Sequence, residues 1–221
     1  MLSFSKKKWR LADVSKDKSL ALAKELDIPV TIAVLMINRG VTTKEEAKHF
    51  LQSDLALLHD PFLMAGMGEA VKRIIRAIDD GESITVFCDY DVDGVTSAAF
   101  LTHFFRDLDC SITAYLPERH IEGYGLNADA VRKIREQGTT LMITADCGIT
   151  GVKEVALANE LGLDVIVTDH HQVGEEGLPK ATAVLNPHRE ECDYPFRFLS
   201  GVGLAFKLAV GVRKGLYRAG R

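Results

Sequence analysis

The sequence predicts an α/β fold in which a parallel sheet is flanked by helices and preceded by a small helical region. Short β-branched runs alternate with helical segments from Gly81 onward. These runs are apolar along nearly their whole length, as in parallel strands that are covered on both faces. An acidic residue stands just beyond the end of three of the runs. We therefore expect a helical region at 1–80 and an α/β domain at 81–221.

The first 80 residues show helical spacing, a capping sequence and glycine stops. Thr43 and Glu46 form a capping box, S/T-x-x-E, which opens a helix that we expect to run through Leu51. The other segments of this region are a short helix around 20–26 that ends before Pro29, an apolar stretch at 30–39 closed by Gly40, and a helix at about 69–79.

The remainder alternates strands with helices, which is the pattern of βαβ units. The strands expected from β-branched apolar runs are 84–87, 112–116, 141–144, 165–167 and 183–185. The helices expected between and after them are 95–106, 128–137, 152–161 and a closing helix that begins after Ser200 and Gly201.

Composition and charge place only loose limits on the function. The 221 residues are 47% apolar and 26% charged, with a net charge of −4. Residues 1–80 hold 13 Lys and Arg against 11 Asp and Glu, whereas residues 81–221 hold 14 against 20. This balance argues weakly against a polyanionic substrate. Five of those 20 acids lie in the motifs described below, where bound cations would neutralise them.

The four cysteines suggest a reducing compartment. Cys88, Cys110, Cys147 and Cys192 form no CxxC motif, so we expect free thiols rather than a disulfide or a zinc site. The apolar runs are shorter than a membrane-spanning helix requires. A cytoplasmic location without membrane contact is the prediction that follows.

Three carboxylates, Asp89, Asp91 and Asp93, alternate in a strand-to-helix turn that ends at Gly94. Carboxylates at this density repel one another unless a hard cation joins them, so the motif favours Mg²⁺ or Mn²⁺. A solvated turn is the plain alternative. An EF-hand is excluded, because its twelfth position would be Phe100 instead of Glu and a strand precedes the motif.

Two further strand ends carry ligand-type residues. Asp146 follows the strand at 141–144 and, taken alone, would be interpreted as a helix cap. Asp169, His170 and His171 follow the strand at 165–167. Adjacent histidines at a strand end point in different directions, so one can ligate a metal while the other faces a substrate. Asp169 can orient an imidazole. The carboxyl ends of parallel strands meet at one edge of a sheet, so we expect one site there.

These three motifs resemble those of the DHH phosphoesterase superfamily: the sequence around Asp89–Gly94, the Asp146-Cys147-Gly148 turn, and the Asp169-His170-His171 run that gives the superfamily its name. Within it, the chain is most similar to the RecJ family of single-stranded-DNA-specific 5′→3′ exonucleases. Stretches outside the motifs support this, including Pro117–Arg119, Glu122–Leu126, Leu185–Arg189 and Gly201–Lys207.

The resemblance implies a metal-dependent exonuclease that degrades single-stranded DNA to 5′-mononucleotides in repair and recombination. It implies two divalent ions, Mn²⁺ or Mg²⁺, that share Asp146 as a bridge. The other implied metal ligands are Asp89, Asp91, Asp93 and His170, and the implied catalytic residues are His171, Asp169 and Asp146. How Asp89, Asp91 and Asp93 divide between direct and supporting roles stays open. The implied protein is a monomer that works with a single-strand-binding protein or a helicase.

Candidate contacts to nucleic acid are less specific. Arg119, Tyr124 and Asn127 lie in the loop after the strand at 112–116, where an Arg could bind phosphate and a Tyr could stack on a base. A surface Arg and a packed Tyr explain the same residues equally well. Arg189 and Lys207 are further candidates for phosphate contacts. For Gly201–Gly203 at the start of the closing helix, we favour close helix–sheet packing over phosphate binding.

The resemblance also implies parts that these residues do not contain. The superfamily's fourth motif, a further metal-ligating aspartate, and its closing second domain would follow the helix that begins near Gly201. We therefore expect a C-terminally incomplete domain at 81–221, with weak or no nuclease activity on its own. Two alternatives stay open: a phosphodiesterase acting on oligonucleotides or cyclic dinucleotides, and a non-catalytic binding scaffold.

Overall fold

A computed structural model describes residues 8, 10, 12–52 and 54–221, and its contacts divide the chain into two compact units. The first unit is Met1–Leu58 and the second is His59–Arg221. The helix expected at 69–79 therefore belongs by its contacts to the second unit, although the sequence placed it in the N-terminal region. Its apolar face packs on the closing helix and on the last strand of the sheet.

The first unit contains three short helices, α1 (Lys16–Leu26), α2 (Val30–Ile37) and α3 (Lys44–Leu51). The predicted capping box is present: the Thr43 hydroxyl accepts from the Glu46 N–H, and Glu46 accepts from the Thr43 N–H. The helices expected around 20–26 and from the capping box through Leu51 are thus confirmed, and the apolar stretch at 30–39 contains α2.

The second unit is built on a five-stranded, fully parallel sheet in the order β2-β1-β3-β4-β5. The strands are β1 (Ile84–Cys88), β2 (Ile112–Tyr115), β3 (Leu141–Ala145), β4 (Asp164–Thr168) and β5 (Ala183–Leu185). The predicted α/β class is confirmed. Strands β1 and β3 are buried along their whole length, whereas β2 is an edge strand with exposed central residues. The expectation of full coverage therefore fails only at this edge.

Helices cover both faces of the sheet and create two apolar cores. The helices are α4 (Met67–Asp79), α5 (Val92–Arg106), α6 (Ala128–Glu136), α7 (Val152–Glu160) and α8 (Gly201–Arg218). Along β1, Ile84, Val86 and Cys88 belong to the core formed with α4, α5 and α8, whereas Phe87 belongs to the core formed with α6 and α7. None of the described helices is both long and apolar enough to cross a membrane.

An ion-pair cluster around the buried Arg73 joins α4 to the amino-terminal edge of the sheet. Arg73 is only 6% exposed. Its Nε lies 2.5 Å from Asp164 Oδ2 and its Nη2 lies 2.7 Å from Glu82 Oε2. The Thr140 hydroxyl donates to the same Glu82 oxygen. Glu82 and Thr140 lie just before β1 and β3, and Asp164 is the first residue of β4. The cluster therefore fixes the ends of these strands that lie opposite to the acidic motifs.

Candidate metal centre

Three acidic residues meet at the carboxyl edge of the sheet because their strands are in register. Cys88, the last residue of β1, pairs with Ala145 of β3, which in turn pairs with Thr168 of β4. The next residues along the chain are Asp89, Asp146 and Asp169, and all three are about 1% exposed. The prediction that the acidic strand ends lie at one edge is confirmed.

The turn after β1 is closed by Asp91, which caps α5. Its Oδ1 accepts hydrogen bonds from the N–H groups of Asp93 and Gly94, at 2.9 and 3.0 Å. The Gly94 N–H bond is the largest cause of the lowered pKa of Asp91. A Cβ at Gly94 would lie 2.1 Å from the Asp89 carbonyl oxygen, so only glycine fits this position.

Asp93 faces the start of α8. Its two carboxylate oxygens accept from the N–H groups of Gly201 and Val202, at 3.1 and 3.4 Å. A helix N-terminus carries partial positive charge, so the start of α8 attracts this carboxylate. Each oxygen retains a second lone pair, and the contact therefore leaves Asp93 able to ligate a cation.

Two sets of ligand atoms converge at this edge, and Asp146 belongs to both. Asp89, Asp91 and Asp146 offer oxygen atoms within 4.8 Å of one another, and Asp146, His170 and His171 do the same with oxygen and nitrogen atoms. Of the residues predicted as ligands, the structure brings together Asp89, Asp91, Asp146 and His170. It adds His171, and it leaves Asp93 outside both sets in this arrangement.

The environment of Asp146 fits a bound cation. Its backbone has a φ of 64°, a strained conformation for a residue other than glycine. Its buried Oδ1 has no hydrogen-bond partner among the described residues, and His170 Nε2 lies 3.0 Å away without hydrogen-bond geometry. Burial, and then the charge of Asp91, raise the pKa of Asp146 to about 7. A divalent cation would satisfy the oxygen and remove the penalty for its charge.

Helix α8 packs directly against this carboxylate. A Cβ added at Gly201 would lie 2.4 Å from Asp146 Oδ1. The glycine thus allows the helix N-terminus to touch the carboxylate that both candidate sets share, which agrees with the predicted close packing at Gly201–Gly203. The Ser200 hydroxyl accepts from the Gly203 N–H at 3.3 Å and caps the helix at the same point.

His171 is oriented by Asp169, as the sequence predicts. Asp169 Oδ1 lies 2.7 Å from His171 Nδ1 and also accepts from the His171 N–H, while Oδ2 accepts from the Ile149 N–H at 2.9 Å. Burial alone would lower the pKa of His171, but the bond and charge of Asp169 outweigh it and raise the pKa. The Nε2 atom of His171 is left facing Tyr124, whose hydroxyl lies 3.4 Å away.

Aromatic and cationic side chains continue from the metal cluster onto the β2–α6 loop, which we define as residues 116–127. Tyr124 packs edge to face against both His171 and Tyr90, with ring centroids 6.3 Å apart in each case. The Arg119 guanidinium lies over the Tyr90 ring at 5.3 Å. The structure therefore brings Arg119 and Tyr124 to the cluster. Tyr90 was missed as a site residue, although its place between two candidate ligands, Asp89 and Asp91, is a signal that could have found it.

The other candidates for nucleic-acid contact are engaged in structural interactions. Asn127 caps α6, because its Oδ1 accepts from the Ala130 N–H at 2.8 Å. Arg189 donates to the Val184 carbonyl and to Glu191. Lys207 is 3% exposed, and its Nζ donates to the His59 carbonyl at 2.9 Å. In this conformation neither Arg189 nor Lys207 presents an unengaged cationic group to a ligand.

The four cysteines are free, as the sequence predicts, and three of them are buried. Cys88 and Cys147 lie next to Asp89 and Asp146. Burial raises the pKa of Cys88 to about 12, and it raises the pKa of Cys147 as well. Burial therefore disfavours the thiolate form of both cysteines, and neither belongs to the two ligand sets among the described residues.

Comparison with known proteins agrees with this arrangement. The sequence model described as "DHH family, N-terminal domain" matches residues 83–219, which include every motif described above. The chain belongs to the DHH family. This DHH chain is 46% identical over 205 residues to the single-stranded-DNA-specific exonuclease RecJ of Bacillus subtilis (strain 168), a match that covers 93% of the chain and 26% of the relative.

Solved structures resemble the same DHH chain. RecJ from Thermus thermophilus in complex with Mn²⁺ matches with a TM-score of 0.71 and 27% identity, over 94% of this chain and 28% of that one. An exonuclease RecJ bound to manganese matches with a TM-score of 0.65 and 34% identity, over 74% of this chain and 40% of that one. The DHH chain thus spans about a quarter to two fifths of the proteins it resembles.

Proposed function

We propose that this chain carries the metal-binding part of an exonuclease that degrades single-stranded DNA from the 5′ end to 5′-mononucleotides, in DNA repair and recombination. The observation that carries the proposal is the pair of ligand sets that share Asp146. Two metals joined by a shared carboxylate are a recurrent solution for phosphodiester hydrolysis. Relatives named as single-stranded-DNA-specific exonucleases, with manganese-bound structures, support the choice of metal and substrate.

The candidate ligands divide between two ions according to the oxygen or nitrogen atoms that they offer. Asp89 and Asp91 would hold one ion, His170 the other, and Asp146 both. Asp93 would complete either set through the lone pairs that its hydrogen bonds to α8 leave open. Two divalent ions, Mn²⁺ or Mg²⁺, would supply Lewis-acid activation of water and of the phosphate oxygens. Nitrogen ligation favours Mn²⁺ over Ca²⁺.

His171 is suited to a role on the substrate. Asp169 accepts from Nδ1–H and from the backbone N–H, so the ring is held with Nε2 toward the open side. The raised pKa of His171 favours an imidazolium that donates to a phosphate oxygen or to the leaving oxygen. From the same side, Arg119 would bind a phosphate of the DNA and Tyr124 would stack on a base.

One assay on the unaltered chain tests the proposal. The protein would be incubated with Mn²⁺ and 5′-labelled single-stranded DNA, duplex DNA or a cyclic dinucleotide. Release of mononucleotides from single strands alone supports the proposal. Cleavage of only the cyclic dinucleotide would replace it with a small-substrate phosphodiesterase. A scaffold would be indicated by manganese and DNA binding without cleavage of any substrate, both by this chain and by a longer chain that contains it.

The matched variants are Asp146→Asn and Asp80→Asn. Both remove one carboxylate charge with little change in volume, but Asp80 is exposed at the end of α4 and belongs to neither ligand set. Asp146→Asn should abolish manganese binding detected by isothermal titration, and Asp80→Asn should leave it intact. Full manganese affinity in Asp146→Asn would refute the shared-ligand role even if no nuclease activity is measurable.

We also propose a monomer in the cytoplasm, without membrane contact, that meets a single-strand-binding protein or a helicase at its DNA substrate. The four free thiols support a reducing compartment. Light scattering of the purified chain would test the monomer, since a doubled mass independent of concentration would contradict it. Co-sedimentation with DNA coated by a single-strand-binding protein would test that association.

A further inference from the structure

We infer that Glu122 is a positioning residue, which holds the β2–α6 loop so that Arg119 and Tyr124 lie beside the metal cluster. The effect on DNA rests on the proposed function, but the effect on the loop does not. Glu122 belongs to none of the ligand sets, and both oxygens of its carboxylate are engaged away from the metals.

The contacts of Glu122 join the loop to the sheet and to itself. Its Oε1 accepts from the Tyr115 hydroxyl at 2.5 Å, and its Oε2 accepts from the Glu118 N–H at 2.7 Å. Tyr115 is the last residue of β2, and its ring stacks on Phe87 of β1 with centroids 5.5 Å apart. The carboxylate therefore connects the loop to a side chain that is fixed on the sheet.

The same carboxylate closes a compact turn that carries Arg119. The N–H groups of Ile121 and Glu122 donate to the Glu118 carbonyl at 2.9 and 2.8 Å. Together with the bond from the Glu118 N–H to Glu122 Oε2, these bonds close the turn on both sides. The backbone position of Arg119 inside the turn is thereby fixed.

The backbone at the tip of this loop has little other support. Gly123 and Gly125 both have a φ of +79°, and a Cβ added at either would meet no atom within 4 Å. Ile121 at the tip is 76% exposed. Glycines that have open space around them allow many backbone conformations, so a specific anchor is needed to select one.

The selected conformation presents Arg119 and Tyr124 toward the metals. Arg119 rests on the Tyr90 ring, and Tyr90 adjoins the ligand Asp89. Arg119 forms no ion pair within the described part of the chain, so its charge is available to a phosphate. Tyr124, two residues after Glu122, reaches His171. Release of Glu122 would let both groups move away from the cluster without disturbing a metal ligand.

Four variants separate the positioning effect of Glu122 from the effect of its charge. Glu122→Ala removes both contacts, and Tyr115→Phe removes only the one to the sheet. Glu122→Gln removes the charge but keeps the geometry, because its amide oxygen can accept from Glu118 N–H while its amide nitrogen donates to the Tyr115 oxygen. Glu118→Ala is the matched control: it removes a carboxylate from the same turn, and its side chain forms no hydrogen bond within the described residues.

The first readout is hydrogen–deuterium exchange of the full chain. In Glu122→Ala, we expect the backbone amides of residues 118–126 to exchange roughly tenfold faster, a change that corresponds to the loss of about one hydrogen bond to a charged group. Tyr115→Phe should be intermediate, and Glu122→Gln and Glu118→Ala should match the unaltered chain. Equal exchange in Glu122→Ala and Glu118→Ala would overturn the inference.

The second readout is binding of 5′-phosphorylated single-stranded DNA, measured by fluorescence anisotropy beside manganese titration. Glu122→Ala should weaken DNA binding about tenfold while manganese affinity stays unchanged, and Glu122→Gln should restore binding. If Glu122→Gln binds as weakly as Glu122→Ala, charge matters and positioning does not. If the unaltered chain binds no single strand, the proposed function fails, and the exchange rates still decide the role of Glu122.

Discussion

Replacement of Gly201 by alanine tests whether α8 sets the position of the shared metal ligand. The added Cβ would lie 2.4 Å from Asp146 Oδ1, 2.7 Å from its Cβ and 2.7 Å from its Cγ. An unstrained contact needs about 3.5 Å, so the helix or the carboxylate must move by roughly 1 Å. Asp146 is already held at a positive φ, so its backbone has little freedom to adjust.

A displacement of this size is large for a metal centre. Misplacement of a reacting group by 1 Å costs on the order of 100-fold in rate, and loss of support for a ligand typically costs 10- to 100-fold in metal affinity. We therefore expect Gly201→Ala to weaken manganese binding by roughly 10- to 100-fold. Overpacking should also lower the free energy of unfolding by about 1–3 kcal/mol.

Gly203→Ala is the matched control, because it introduces the same methyl group two residues further along α8. Its Cβ would lie 3.4 Å from Leu199 Cδ2, an ordinary contact with the end of a flexible side chain. Alanine is a better helix former than glycine by up to about 1 kcal/mol, so this variant should be unchanged or more stable.

Titration calorimetry with Mn²⁺ and urea unfolding followed by circular dichroism would compare the two variants with the unaltered chain. Equal manganese affinity in Gly201→Ala and Gly203→Ala would refute the reasoning that α8 positions Asp146. Because manganese binding is measured directly, the result does not depend on nuclease activity of the chain.

Three further predictions address other parts of the molecule. Burial alone would raise the pKa of Glu82, but bonds from Arg73 and Thr140 outweigh it and lower the pKa from 4.5. Its contribution to stability is therefore complete above about pH 4.5 and is lost as the pH falls through the lower folded pKa. Urea unfolding should thus be less pH-dependent in Glu82→Gln between about pH 5 and 3, and an unchanged slope would contradict this. Gly94→Ala should abolish manganese binding, because its Cβ would lie 2.1 Å from a backbone oxygen, and calorimetry would show any retained affinity. The buried ammonium of Lys207 binds a carbonyl, so Lys207→Met should lower the free energy of unfolding by about 1–2 kcal/mol and change DNA affinity by less than about twofold. A tenfold loss of DNA affinity, measured by fluorescence anisotropy at unchanged stability, would restore its role as a phosphate contact.

Much of the fold could be predicted from local sequence signals. The apolar runs of β1 and β3 and the capping box at Thr43 each depend on a few neighbouring residues, and the structure has them where the sequence places them. The convergence of Asp89, Asp146 and Asp169 followed from one general property of parallel sheets, namely that their carboxyl ends share an edge.

Contacts between distant residues could not be predicted in this way. Arg73 and Asp164 are 91 residues apart, and nothing in either neighbourhood indicates the partner. Lys207 and His59 are 148 residues apart, so a lysine near the end of a motif gave no sign that it would be buried. Asn127 was different, because an Asn directly before a helical segment is a recognisable cap signal, and that signal favours the role it has.

Several residues of the candidate metal centre depart from the ordinary backbone and packing preferences of their residue types. Asp146 has a backbone conformation that disfavours residues other than glycine, and Gly94 and Gly201 permit approaches that no side chain would allow. Each feature is unfavourable alone, since carboxylates are brought together, buried and partly left without donors. Such strain persists only where the surrounding structure imposes it, and here β1, β3 and α8 do so. A cation at this point would convert the repulsion between the carboxylates into binding energy, so the strain is best explained as preorganisation for a metal.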